Sequence, residues 1–373
     1  MARLRRSDWA PPLNQRLVML CPYDLGVPGG VQNQAVALSK EMARRGTTVT
    51  LVTPGLTIDP DLKDEGVQHV AAGSVRSMAA NGSNAPITLS YRRVSRAFRD
   101  LEISPRDMIH VHEPIAPIMS WPALALHPCA MVATFHRSGV DRSYRIAGKV
   151  LVRRLSHIDV ARSVSEAARM TALVATGIDS EILFNGVDLA SIAQAESAPT
   201  SGQTILFIGR DEPRKGRALL LEAARFLPET VTIWLTGDAP NGFQASGATV
   251  VFLGRLSEKE KHARLKAADV LCAPSLGGES FGIVLIEGLA ARCTVVASDI
   301  DGYSQALSGH GLLVKPGSVA ALSQGLRAAL AGEGPDSEEG FSYAASWSIA
   351  SLADAYEHAY DLARSKYSRR FNA

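Results

Sequence analysis

The chain has 373 residues, 46% of them hydrophobic and 20% charged, with a formal net charge of +2. That length exceeds one ordinary core and predicts two domains. The composition excludes a disordered chain, and the near-neutral balance confines any basic function to local clusters. Cys21, Cys129, Cys272 and Cys293 show no CxxC spacing and mostly fall in or beside apolar runs, which predicts buried, reduced thiols in a cytosolic setting. The start, MARLRRSDWAPPLNQ, is basic but lacks an apolar h-region, so no signal peptide is expected. The most apolar long stretch, residues 116–135, is too interrupted by prolines and by His127 to predict a membrane span.

In chain order, RLVMLC (16–21) predicts a buried parallel strand. The pair Gly29–Gly30 opens a helix with Val31, Ala35, Leu38 and Met42 at helical spacing, stopped by Gly46, and TTVTLVTP predicts the next strand. This is a βαβ start without GxGxxG. PGG reads equally as a tight turn or as a backbone anion cradle at a helix start. Residues 66–72 predict a strand, and the polar, glycine-bearing stretch 79–90 predicts a mobile loop. Next comes a helix with Tyr91, Val94, Phe98 and Leu101 on one face and Arg92, Arg93, Arg96 and Arg99 elsewhere. From the residues alone a solvated face is the plainer reading, and an anionic membrane surface the sharper one.

The strand DMIHVH (107–112) puts His110 and His112 on one face, but no third ligand follows at a metal-site spacing, so no metal is expected there. MVATFH places His136 at the C-terminal end of a strand, the end that faces the ligand crevice in open α/β sheets. A second basic cluster, Arg142, Arg145, Lys149, Arg153 and Arg154, follows on a helix.

After a small, polar loop (193–203) a new array begins. TILFIGR is a strand, followed by DEPRKG and a helix, so Arg210 and Lys215 with Gly216 occupy a strand-to-helix turn suited to a diphosphate. Further on, the strand VLCA (270–273) leads into LGGESFGIVLIE, a glycine loop opening a helix, with Glu279 in the loop and Glu287 two turns along. Asp299 and Asp301 form a DxD, too common a pattern to predict a metal. Residues 319–330 predict a helix, 332–340 a linker, and 347–370 a terminal helix with Ile349, Leu352, Ala353, Tyr356 and Tyr360 on one face.

The strings PGGVQ, ATFH, FNGVD, GRDEPRKG and GGESFGIVLIE, in this order, resemble the retaining family 4 glycosyltransferases of GT-B fold. Further strings, HVHEPIAP among them, are most similar to the phosphatidylinositol mannosyltransferase branch of actinobacteria. The resemblance implies two Rossmann-like domains facing across a cleft: an acceptor and membrane-docking domain (1–186 plus 349–373) and a donor domain (187–348), with the C-terminal helix crossing back to the first. It implies GDP-mannose as donor, phosphatidylinositol as acceptor, and a cytoplasmic enzyme held peripherally on the inner face of the plasma membrane.

Carried over by position, the resemblance implies that Gly29 and Gly30 approach the donor diphosphate, and that Arg210 and Lys215 bind it. Glu279 would contact donor-sugar hydroxyls, the segment Ser280, Phe281, Gly282 and Ile283 would position the sugar, and Glu287 would bind the ribose. Tyr23 and Gln32 would lie near the acceptor headgroup, and His136 at the sugar or the acceptor phosphate. The helix bearing Arg92, Arg93, Arg96 and Arg99 matches the family's membrane-docking element, which reverses the plainer reading of it. Gly26 and Asp141 stand where the family carries an acid and a lysine, so the acceptor is less fixed than the donor. No carboxylate is placed as a nucleophile. The resemblance implies a same-face substitution in which the leaving diphosphate helps take the acceptor's proton, without an essential metal. The rivals are another family 4 transferase with a different nucleotide sugar and acceptor, and a catalytically silent nucleotide-sugar-binding protein. Neither half carries a dehydrogenase fingerprint, and no aromatic interleaving suggests nucleic acid.

Overall fold

The computed structural model describes residues 16–27, 29–56, 60–80, 83–244, 246–279 and 281–371. The chain divides into two units, one of residues 1–79, 84–183 and 353–373, the other of residues 80–83 and 184–352. In chain order it first forms β1 (Arg16–Leu20), α1 (Gly30–Arg44), β2 (Thr48–Thr53), α2 (Pro60–Asp64), β3 (Val67–Ala71), β4 (Arg76–Ala80), β5 (Ser83–Ile87) and α3 (Tyr91–Asp100). Then come β6 (Met108–His112), α4 (Trp121–Leu126), β7 (Ala130–Phe135), α5 (Arg142–Leu155), β8 (Val160–Ser163), α6 (Glu166–Thr176) and β9 (Glu181–Ile182). The second array holds α7 (Leu189–Gln194), β10 (Thr204–Phe207), α8 (Arg217–Ala224), β11 (Thr232–Leu235), β12 (Thr249–Phe252), α9 (Glu258–Ala267), β13 (Val270–Ala273) and α10 (Ile283–Ala290). It ends with β14 (Thr294–Ser298), α11 (Asp301–Leu307), β15 (Leu312–Val314), α12 (Val319–Leu330), α13 (Ser337–Ala345) and α14 (Ile349–Phe371).

The first sheet runs β3-β2-β1-β6-β7-β8-β9 and the second β12-β11-β10-β13-β14-β15, all paired in parallel. In both, strand order reverses beside the first strand, between β1 and β6 and between β10 and β13. These are the topological switch points at which doubly wound sheets bind ligands, beyond the carboxyl ends of the strands. Every residue of β6, β7 and β13 is buried, as strands covered by helices on both faces require. The four cysteines are buried and free of disulfides.

The terminal helix α14 belongs to the first unit from Ala353 onward. Ala353, Tyr356, Ala359, Tyr360 and Ala363 are buried at three- and four-residue spacing. Both tyrosine hydroxyls find partners inside: Tyr360 Oη lies 2.9 Å from His110 Nδ1, and Tyr356 Oη 2.8 Å from Thr134 Oγ1. Arg45 clamps the same helix from outside, 2.6 Å from Asp354 and 3.1 Å from Glu357.

Two stretches differ from expectation. Residues 79–90 were read as a loop, but β4 and β5 pair there as a two-stranded sheet. The Asn-Gly dipeptide at 81–82 was the short-range hairpin signal. Within 332–340, read as a linker, α13 begins: Asp336 caps it by accepting from the N–H groups of Glu338 and Glu339, and two glutamates fill its first turn. Among the described residues no helix is long and apolar enough to cross a membrane.

Candidate active site

The loops that leave β10 and β13 meet at the second switch point. Gly216, at φ +72°, follows a 3-10 turn, Pro213–Lys215, and a Cβ there would collide with the Pro274 carbonyl oxygen of the β13 loop. Only glycine allows this approach. The Leu276 N–H donates to the Arg214 carbonyl at 2.7 Å and stitches the loops together. On this scaffold sits a ladder of alternating charge. Arg210 lies 3.1 Å from Glu212, Arg214 lies 2.8 Å from Glu212 and also pairs with Glu279, and Lys215 lies 2.7 Å from Glu279. Three cations face two carboxylates, and the Arg210 side chain is 39% exposed. Such a ladder is set to exchange its internal pairs for a di-anion. Lys215 belongs to the 3-10 turn ahead of α8 rather than to the helix itself. Arg214, which holds both carboxylates, was missed, although it stands in DEPRKG beside the residues that were named.

Glu279 is followed by Ser280, which lies outside the described residues. Phe281 is buried, with ring centroids 5.5 Å from Phe184 and 5.1 Å from Trp347, so its side chain anchors the loop. Gly282, at φ +82°, caps α10, and a Cβ there would strike the Tyr303 ring, while Tyr303 Oη lies 2.8 Å from Ser275 Oγ. Ile283 is the first helical residue. The backbone of this loop is thereby fixed at a helix N-terminus.

Glu287 lies on α10, buried, 2.9 Å from Lys261 Nζ, which also reaches Glu258 at 2.7 Å. Burial works against the Lys261 ammonium, but Glu287 and Glu258 outweigh it and hold it above its ordinary range. Glu258, His262 and Glu287 could offer metal-ligand atoms, yet this ammonium already sits between the two carboxylates. Lys261 was also missed. The capping box of Ser257 and Glu260 marks only where α9 begins, and the partner that gives Lys261 its role lies on α10. Asp301 sits in the first turn of α11, and neither it nor Asp299 joins a metal-competent cluster among the described residues.

In the first unit, Gly29 is the N-cap of α1 and Gly30 its first residue, with open space where a Cβ would point. The Gln32 amide is buried and donates to the carbonyls of Val27 at 2.9 Å and Asp24 at 3.4 Å, so it shapes the glycine loop. Gly26, which replaces the expected acid, donates its N–H to Asp24 Oδ1 at 3.3 Å, so a carboxylate is present two residues earlier. Asp141, in place of the expected lysine, caps α5 by accepting from the Tyr144 N–H and pairs with Arg137.

Glu113 was passed over between the histidines and the proline of HVHEP. It follows β6 with φ +49° and is buried. Its carboxylate accepts from the N–H groups of His136 at 2.9 Å and Arg137 at 3.0 Å, and from Tyr144 Oη at 2.5 Å. Burial pushes its pKa above the usual carboxylate range, although these donors oppose the shift. Tyr23 lies within its field: burial first, then the Glu113 charge, raises the Tyr23 phenol. His136 is buried, with Nε2 2.9 Å from His112 Nδ1. His110 and His112 do share a face, their rings stacked at 4.4 Å, but both His110 nitrogens are taken by Tyr360 and Thr134.

On α3, Val94 and Phe98 are buried while Arg92, Arg93, Arg96 and Arg99 are exposed. On α5, Arg142, Arg145, Lys149, Arg153 and Arg154 are exposed beside Ile146 and Val150.

Two family models match the chain: "Glycosyltransferase Family 4" over residues 28–191, and "Glycosyl transferases group 1" over residues 202–332. A protein named phosphatidyl-myo-inositol mannosyltransferase, from Mycobacterium tuberculosis, is 37% identical over 84% of this chain and 87% of its own length. The chain belongs to the family 4 glycosyltransferases. A second relative of the same name, from Propionibacterium freudenreichii, is 34% identical over 79% of each chain. Among solved structures, a glycosyltransferase from Rickettsia africae superposes with a TM-score of 0.72 at 18% identity, covering 94% of this chain and 99% of its own. Anabaena HepE in complex with UDP and glucose gives 0.71 at 15% identity, covering 93% and 99%. The fold is GT-B, with the two parallel sheets as its Rossmann-like halves, and the protein is a glycosyltransferase.

Proposed function

We propose that this glycosyltransferase moves mannose from GDP-mannose to the inositol ring of phosphatidylinositol, with retention of configuration, at the inner face of the plasma membrane. The observation that carries the reading is the ladder Arg210–Glu212–Arg214–Glu279–Lys215 at the second switch point. It supports a nucleotide-diphosphate sugar, because surplus positive charge and a helix start are gathered where a diphosphate needs them. Arg210 and Lys215 take the diphosphate, Glu279 the sugar hydroxyls and Glu287 the ribose. The names of the relatives support mannose and the inositol phospholipid. The exposed arginines of α3 support docking on anionic lipid.

In this reading the protein supplies charge and alignment rather than a covalent nucleophile. The cations stabilise the departing diphosphate, whose oxygen takes the proton of the attacking inositol hydroxyl on the same face of an oxocarbenium-like sugar. Two cations and a helix start carry the neutralisation, so no divalent metal forms part of the proposal. In the first unit, Gly29 and Gly30 offer backbone N–H groups to an anion at a helix start, and Tyr23, Gln32 and His136 serve the acceptor.

The test is purified protein with vesicles of phosphatidylinositol and a panel of GDP- and UDP-sugars, read by product mass. Mannosylated phosphatidylinositol formed from GDP-mannose is expected. Transfer from a UDP-sugar alone, or only to a water-soluble acceptor, would replace this reading by another family 4 activity. Donor binding without transfer or hydrolysis would leave only a binding protein.

A further inference from the structure

β6 and β7 pair in parallel with His112 opposite Thr134, and His136 follows two residues after Thr134. Alternation therefore sets His110, His112, Thr134 and His136 on one face. The rings make a short row, with centroids 4.4 Å apart between His110 and His112 and 5.2 Å between His112 and His136.

The hydrogens of this row can be counted. A neutral imidazole has one N–H and one acceptor nitrogen. Both nitrogens of His110 are engaged, Nδ1 with Tyr360 Oη at 2.9 Å and Nε2 with Thr134 Oγ1 at 2.8 Å. His110 therefore has nothing left for its neighbour. His112 Nδ1 lies 2.9 Å from His136 Nε2. His112 Nε2 is buried and has no partner among the described residues. Backbone N–H groups are left unpaired in protein interiors less often than acceptors, and by analogy we assign the bare nitrogen of His112 as the one without a partner. The His112 proton then sits on Nδ1 and is donated to His136 Nε2. A neutral His136 whose Nε2 accepts must carry its own proton on Nδ1. No described residue hydrogen-bonds that Nδ1.

We infer that His112 is a positioning residue that locks His136 in the Nδ1–H tautomer, so that His136 meets its ligand as a hydrogen-bond donor and not as a base. The ligand atom opposite is an oxygen that accepts, on a phosphate or on a sugar. The inference rests on the reading that His136 faces a substrate. Burial keeps all three histidines from charging, which agrees with neutral rings throughout the row.

The test uses the full chain labelled with 15N-histidine, the His136 signals being assigned by their loss in His136→Asn. Long-range proton–nitrogen spectra should show the His136 proton on Nδ1. Two variants then separate position from mere polarity. In His112→Asn the amide nitrogen overlays Nδ1, and in His112→Gln it overlays Nε2. His112→Asn should keep the tautomer, with kcat/KM within about threefold of the parent, whereas His112→Gln should mix the tautomers and lower kcat/KM at least about tenfold. Thermal unfolding of the two variants should be alike. A rise in KM for the phospholipid places the accepted oxygen on the acceptor phosphate, and a rise for the nucleotide sugar places it on the sugar. An Nε2–H tautomer in the parent protein overturns the inference, as does equal activity of the two variants. If no donor or acceptor is turned over, the proposed function fails, and the tautomers of the parent and of His112→Gln still decide this inference.

Discussion

Lys215 Nζ and the Glu279 carboxylate meet at 2.7 Å, across loops that leave neighbouring strands. One residue comes from GRDEPRKG and the other from GGESFG, two strings that the sequence presents far apart. Their contact makes one site of two motifs. Lys215→Ala removes a cation that the proposed function sets against the leaving diphosphate, while Arg214 still holds Glu279. Transfer should fall by about 10²–10³-fold, the usual loss for one electrostatic stabiliser. The pair is only partly buried, so stability should change by no more than about 1 kcal/mol. Initial rates and thermal unfolding measure the two effects separately, and activity like that of the parent would remove Lys215 from the site.

Gly216 and Gly30, one in each unit, should respond differently to an added side chain. Gly216→Ala sets a side chain on a left-handed backbone and against the Pro274 carbonyl. The strain alone costs about 1–3 kcal/mol, so the second unit should lose stability and the enzyme its activity together. Gly30→Ala meets nothing within 4 Å. Its fold should survive intact, while transfer should drop about tenfold if an anion rests against that helix start. Full activity in Gly30→Ala would show that the loop is only a turn.

The exposed arginines of α3 are separable from its core face, because Val94 and Phe98 carry the packing. In Arg92→Ser/Arg96→Ser, each lost charge should cost about 1 kcal/mol of attraction to an anionic surface, so vesicle affinity should fall roughly thirtyfold. Cosedimentation with phosphatidylinositol vesicles at low and high salt checks this. Binding that is insensitive to both salt and the substitutions would leave α3 as an ordinary solvated face.

The strands and the two glycine loops were legible because buried parallel strands and strand-to-helix turns leave compact local signals. The metal-free reading of His110 and His112 rested on spacing alone; the partners of His110, Tyr360 and Thr134, lie 250 and 24 residues away, and His112 meets His136 at the end of the neighbouring strand. Glu113 was not legible as a site residue. Nothing local distinguishes a glutamate after a strand, and its role comes from backbone donors at His136 and Arg137 on another strand end. Lys261 escaped for the same reason, since its partner Glu287 lies on a different helix. α13 and the β4–β5 pair were missed for a different cause: their cap and turn signals were present but outweighed by polar, glycine-bearing composition.

The histidine row also predicts how the first unit responds to acid. Burial holds His112 down to about 3, against an ordinary 6.5, and holds His110 and His136 well below their ordinary value. Below pH 6.5 the unfolded chain binds protons that the folded chain refuses. Stability therefore falls as pH drops, for His112 through the window from 6.5 to about 3. The limiting slope is about 1.4 kcal/mol per pH unit for each histidine. Glu113 acts in the opposite sense. Its carboxyl is raised, so between its ordinary value of 4.5 and its raised one the folded chain holds the extra proton, and acidification there adds stability. Amide exchange in β6 and β7 should report lower stability at pH 5 than at pH 7. His112→Asn should flatten that dependence, and Glu113→Gln should steepen it by removing the opposing group. Exchange protection that is independent of pH over this range would mean that the row is not neutral in the folded enzyme.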